Sequence, residues 1–186
     1  MNKVVTSKEE ILKVSRKLIM EQGWKSVNIR AVAASCGVAV GSIYNYFFSK
    51  SDLMTATVES VWYDIFHFSE EEDKDADFEE CIRWLFRRME EGAEKYPGFF
   101  TFHSMSFLGE EKTKAHEKKE RSWQYIKKGL YTVLEKDKRV RRDAFNEQFT
   151  REKFVDVIFS MMLAFMLQQA YDSSVVVEIV RRSIYD

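Results

Sequence analysis

A chain of 186 residues with 45% hydrophobic and 32% charged residues has the composition of a globular protein holding one substantial core, or a small module joined to a larger one. A single Pro and seven Gly give too few turns for a many-stranded sheet, and two Cys are too few for a disulfide framework or a thiolate metal site. The formal net charge of −1 conceals an asymmetry, because residues 1–54 carry eight Lys and Arg against four acids (+4) while the remainder holds 21 against 26 (−5), as a polyanion-binding head on an acidic body would.

The first predicted helix opens at Ser7, which forms a capping box with Glu10, presents Ile11, Leu12, Leu18 and Ile19 on one face, and ends at Gly23. The second starts from Asn28 as N-cap, with Val27 and Val32 as a hydrophobic staple. It turns Ile29, Val32 and Ala33 inward and stops at Gly37, which can adopt the left-handed conformation. A short third helix then puts Ile43 and Phe47 four apart on its buried side and leaves Val40, Ser42, Tyr44, Asn45 and Tyr46 mostly facing outward. Phe48 is expected to fill the joint with a fourth helix. That helix is capped by Ser49 with Asp52 at its third position, and its stripe is Leu53, Val58, Val61, Trp62, Ile65 and Phe66.

The acidic run 70–77 has no apolar period and reads as a solvated loop. A fifth helix follows from Phe78 through Ile82, Leu85, Phe86, Met89 and Ala93 until Pro97-Gly98, and the segment 97–109 reads as a short, ring-rich helix. Residues 110–136 are helical with an exposed start and a buried second half, and the basic run 136–142 is expected to be a solvated loop. Thr150 caps the most hydrophobic helix. Between 154 and 167 apolar groups occupy nearly every face, which implies burial on both sides. A last helix runs from Ser174 to about Tyr185. The fold class is therefore all-α, with about nine helices and no confident strand. Residues 154–167 are too short and too polar at Asp156 and Ser160 to span a bilayer, and the first residues lack the apolar core of a secretory signal. A cytoplasmic location is expected.

Three helices within about forty residues, the second and third short and joined by a glycine turn, form a helix-turn-helix whose third helix enters the DNA major groove. Small residues at Ala39, Gly41 and Ser42 let the backbone approach the duplex. Tyr44, Tyr46 and Lys50 can hold phosphate oxygens, while Asn45 and Val40 can reach base edges or a thymine methyl. The stretch NIRAVAASCGVAVGSIYNYFFSKSDL, residues 28–53, resembles the DNA-binding signature of the TetR family of bacterial transcriptional regulators. The resemblance covers residues 7–54 and implies double-stranded operator DNA as partner, with Asn28 and Arg30 joining the residues just named. Asn28 stands where the family usually has Thr, Ala39 where it has the Ser that caps the recognition helix, and Val40 where a Lys is common.

By the same resemblance, residues 1–52 are the DNA-binding domain and 53–186 an effector-binding and dimerisation domain. Its last two long helices would pair with those of a second copy through Phe154, Ile158, Met161, Phe165, Val176, Ile179 and Val180. The body is rich in large rings and sulfurs, and Trp62, Phe66, Trp84, Phe102, His103, Phe107, Trp123, Phe159 and Met162 are candidates for an apolar small-molecule site. His67, His103, His116, Cys36 and Cys81 lack helical pairing, so no metal site and no cofactor are expected. No phosphate loop or nucleophile elbow is present, so the chain is not read as an enzyme. The leading expectation is a homodimeric repressor released from a palindromic operator by a small, largely apolar ligand. The alternatives are a helical small-molecule binder or enzyme without DNA binding, and a DNA-binding regulator with no ligand.

Overall fold

The computed structural model describes residues 6–67, 77–100 and 114–185, with the side chains of the last span described from residue 123. These residues form eight α-helices, which we number α1 (Lys8–Gln22), α2 (Ile29–Ser35), α3 (Val40–Tyr44), α4 (Lys50–Ile65), α5 (Phe78–Lys95), α6 (Lys114–Lys136), α7 (Arg151–Leu167) and α8 (Ser174–Ile184). A 3₁₀ turn covers Trp24–Ser26, and no strand occurs among the described residues. The all-α class is as the sequence predicts. None of the described helices is long and apolar enough to cross a membrane. The chain divides into two compact units, one holding residues up to 64 and 93–119, the other residues 65–92 and those from 120 onward.

In the first unit the helix ends are set by side chains whose type is legible in the sequence. Ser7 Oγ accepts from the Glu10 N–H at 3.1 Å to start α1, and Gly23, at φ 78, stops it with its N–H on Ile19 O. Helices α1 and α2 are in contact, and Ile11, Leu18 and Ile19 of α1 and Val32 and Ala33 of α2 are all at most 6% exposed. Of the buried hydroxyls in this unit, those of Ser15 and Thr57 each donate to the carbonyl four residues back at 2.8 Å.

Trp62 of α4 packs edge-on against Phe99 at 5.5 Å and tilted on Phe100 at 5.8 Å, and Trp24 also meets Phe99. Beside these rings lies a polar cluster. Asp64 accepts from Lys95 Nζ and Tyr96 Oη, each at 2.8 Å, while Arg16 of α1 donates to Ser60 and lies 3.9 Å from Asp64. Burial pushes the Asp64 carboxyl up, but these hydrogen bonds and the charges of Lys95 and Arg16 outweigh it and hold it below the usual carboxylate range. The same burial and the bond to Asp64 push the Tyr96 phenol well above its ordinary value.

The second unit is built on α5, α7, α8 and the later turns of α6. Phe78 meets Phe154, Phe86 meets Phe165 edge-on, and Trp123 meets Phe159 edge-on. Gly92 is required by packing here, since a Cβ at that position would stand 2.9 Å from Ile65 Cδ1 and Cγ2. The basic run 136–142 leaves α6 at Lys136 and continues as a loop, but not a merely solvated one. Arg139 pairs with Asp77 at 2.9 Å and stacks on Tyr185, and Arg141 donates its backbone N–H to Ile184 O and its guanidinium to Ser183 O. Asp137 sits at the centre, accepting from the Phe78 N–H at 2.9 Å, the Tyr185 hydroxyl and the Arg139 N–H. It thereby satisfies an orphan donor at the start of α5 from 59 residues away. These bonds outweigh the effect of burial and keep its carboxyl below the usual range.

The helix 154–167 does not bury both sides within one chain. Phe154, Val155, Ile158, Phe159, Met162 and Met166 are at most 3% exposed, while Val157 and Leu167 are 52% and 53% exposed. Four of the residues expected at a dimer interface, Phe154, Ile158, Val176 and Val180, are therefore core of the second unit and cannot face a partner. The uniformly apolar sequence hides which face is core. Met161, Phe165 and Ile179 are half-buried.

Candidate nucleic-acid interface

Local chemistry fixes the frame of the helix-turn-helix. Asn28 Oδ1 accepts from the N–H groups of Arg30 and Ala31 at 3.1 and 3.0 Å and so caps α2, and its amide donates to Ser26 O. At the other end Gly37 takes φ 66. The Val38 N–H returns to Ala33 O and the Gly37 N–H to Ala34 O, the paired bonds of a Schellman motif. A Cβ at Gly37 would meet nothing within 4 Å, so the requirement there is conformational rather than steric.

The turn delivers α3 with one face locked in. Ile43 is fully buried and Phe47 is 1% exposed, with Lys8 Nζ 5.9 Å above the Phe47 ring. Ala39 occupies the N-cap position with extended φ and ψ of −66 and 148 and provides no side-chain cap, as the sequence indicates. The outward face carries Val40 at 40%, Tyr44 at 48% and Tyr46 at 40% exposure, together with exposed Ala39, Gly41 and Asn45 and a half-buried Ser42. A Cβ on Gly41 would meet nothing within 4 Å. Nothing in the chain itself asks for glycine at that point.

Beyond α3 the next helix start is a reciprocal box. Ser49 Oγ accepts from the Asp52 N–H at 3.1 Å, and Asp52 Oδ2 accepts from the Phe48 N–H at 3.1 Å. Lys50 is exposed at the first position of α4, and Arg30 is exposed on α2. Two expectations need revision. Tyr46 gives its hydroxyl proton to Thr6 O at 2.5 Å, so its donor holds the approach to α1. Phe48 does not fill a joint, because its ring is 94% exposed.

The candidate ligand residues are divided between the units. Trp62 is in the first, packed on Phe99 and Phe100. Phe66, Trp84, Trp123, Phe159 and Met162 are in the second, where Phe66, Phe159 and Met162 are at most 2% exposed. Phe102, His103 and Phe107 lie outside the described residues. An open cleft of about 240 Å³ in the second unit is lined by Tyr131, Phe145, Asn146, Thr150, Arg151 and Glu152, none of them from that set. No group of three His, Cys, Asp or Glu that could hold a metal occurs among the described residues.

Residues 11–57 match the family model described as bacterial regulatory proteins, tetR family. The chain is 31% identical over 52 residues to the HTH-type transcriptional regulator UidR of Escherichia coli K12, a match that spans 28% of this chain and 26% of UidR. Among solved structures, the chain is similar to the fatty acid degradation regulator FadR from Bacillus halodurans, with a TM-score of 0.63 at 18% identity over 95% of this chain and 96% of that one. It is also similar to BioQ solved with its natural double-stranded DNA operator, with a TM-score of 0.56 at 14% identity over 89% and 86%. At these identities the structural likeness is one of fold.

Proposed function

We propose that this chain, whose residues 11–57 match the tetR family of bacterial regulatory proteins, is a sequence-specific DNA-binding transcriptional regulator that works as a homodimeric repressor in the cytoplasm. The observation that carries the reading is the division of α3. Ile43 and Phe47 are locked into the core, while an outward face of small and aromatic residues includes a Gly41 that nothing in the chain requires. A bare backbone at that point suits close approach of a duplex, with Tyr44 and Lys50 on phosphates and Val40 and Asn45 toward base edges. The +4 charge of residues 1–54 favours the same partner.

The second copy is supported by α7 and α8 of the second unit, which expose Val157, Leu167 and Val175 at 52% to 58% beside half-buried Met161 and Ile179. Two recognition helices about 34 to 36 Å apart then read successive major grooves of a palindromic site. A small, largely apolar effector that favours a different spacing of these helices lowers the affinity for DNA.

Selection from a randomised duplex library tests the reading. It predicts enrichment of a two-fold symmetric site and a complex of two chains per duplex in sedimentation. Recovery of no preferred site would remove it.

A further inference from the structure

Phe47 and Phe48 are adjacent and chemically identical, yet one is 1% exposed and the other 94%. The exposed ring is held where it is by its own backbone, because the Phe48 N–H is committed to Asp52 Oδ2 in the box that starts α4. A full phenyl group in water contributes nothing to the chain's packing and carries the hydration penalty of a large apolar surface. Its neighbours indicate what covers it. Phe48 lies beyond the last residue of α3, which enters the groove, and two residues before exposed Lys50, which is placed for phosphate. Between a groove-reading helix and a phosphate contact lies the wall of the strand, whose apolar surface is the C–H face of deoxyribose.

We propose that Phe48 is an additional DNA contact, packing its ring against deoxyribose next to the phosphate held by Lys50. The contact rests on the DNA-binding reading above. It adds affinity without adding charge, and so offsets part of what is missing at Val40, where the sequence has no cation. It also differs from the roles of the other rings: Phe47 packs inward, and Tyr46 is tied to Thr6 O.

The test uses the full chain and a duplex obtained by selection. Phe48→Ala is expected to weaken binding about tenfold, in line with losing the burial of part of an aromatic ring. The slope of log affinity against log salt stays unchanged, the melting temperature stays unchanged, and Phe48→Leu keeps most of the affinity. Lys50→Ala, by contrast, makes the slope shallower. Replacing thymine by uracil throughout the duplex leaves the Phe48→Ala loss intact if sugar is the contact. Disappearance of that loss would move the contact to a thymine methyl and overturn the assignment. Wild-type affinity in Phe48→Ala alongside weaker binding by Lys50→Ala would overturn the contact and leave the DNA-binding reading standing. A Phe48→Ala loss accompanied by a lower melting temperature would assign the ring a structural role instead. If the wild-type chain prefers no duplex, the reading and the contact fall together.

Discussion

Asp64, in the last turn of α4, and Tyr96, the residue after α5, share a hydrogen bond of 2.8 Å inside the first unit, with Lys95 bonded to the same carboxylate oxygen. Because Arg16 of α1 stands 3.9 Å from the other oxygen, this one carboxylate ties α1 to α4 and to the chain after α5. Its folded pKa is depressed, so the stabilisation it provides is present above the unfolded carboxylate value of about 3.9 and is lost as pH falls through the lower folded value. Denaturant midpoints measured from pH 6 down to pH 3 should fall at the acid end. Asp64→Asn should flatten part of that fall and cost about 1 to 2 kcal/mol at neutral pH.

Gly92 and Ile65 make a steric prediction within the second unit. A methyl group on Gly92 would stand 2.9 Å from two carbons of Ile65, so Gly92→Ala should destabilise by about 1 to 3 kcal/mol despite the better helix propensity of Ala. In a double-mutant cycle, Gly92→Ala with Ile65→Ala should cost less than the sum of the single changes. Simple addition would place the strain elsewhere.

Helix α3 can be improved where its cap is missing. Ala39 already has the extended backbone of an N-cap, so Ala39→Ser should stabilise the chain by about 0.5 to 1 kcal/mol and tighten DNA binding by ordering α3 beforehand. Gly37→Ala should act in the opposite direction by about 1 kcal/mol, since φ 66 disfavours a Cβ even in open space. Thermal melts of both variants check the pair.

The legibility of this molecule follows the range of the interactions involved. Asn28, Gly37, Ser49 and Thr150 act on backbone groups within a few residues, so their roles can be read directly from spacing, as can the inward pair Ile43 and Phe47. The orientation of Phe48 depends on how the chain leaves α3, which residue type does not encode. Asp137 capping Phe78 from 59 residues away has no local signature, so the loop around Arg139 and Arg141 looks merely solvated in the sequence. In α7 the apolar residues lie on almost every face, so periodicity cannot separate core Ile158 from exposed Val157.

That distinction in α7 supplies a further experiment. Val157 is 52% exposed and Ile158 is 1% exposed. Val157→Glu should leave the melting temperature of the chain near its monomeric value while shifting sedimentation toward one copy and weakening operator binding. Ile158→Asp should instead unfold the second unit, since it buries an unpaired carboxylate at a cost of several kcal/mol. A Val157→Glu protein that remained a dimer would place the interface on another face.

The most direct measurement is a titration of the wild-type chain and Lys50→Ala against the selected duplex over a range of salt concentrations. Log affinity should fall linearly with log salt, by about 0.9 for each phosphate contacted, and Lys50→Ala should reduce the slope by about two units, one contact from each copy. A slope of zero for the wild-type chain, or equal slopes for both proteins, would contradict the account.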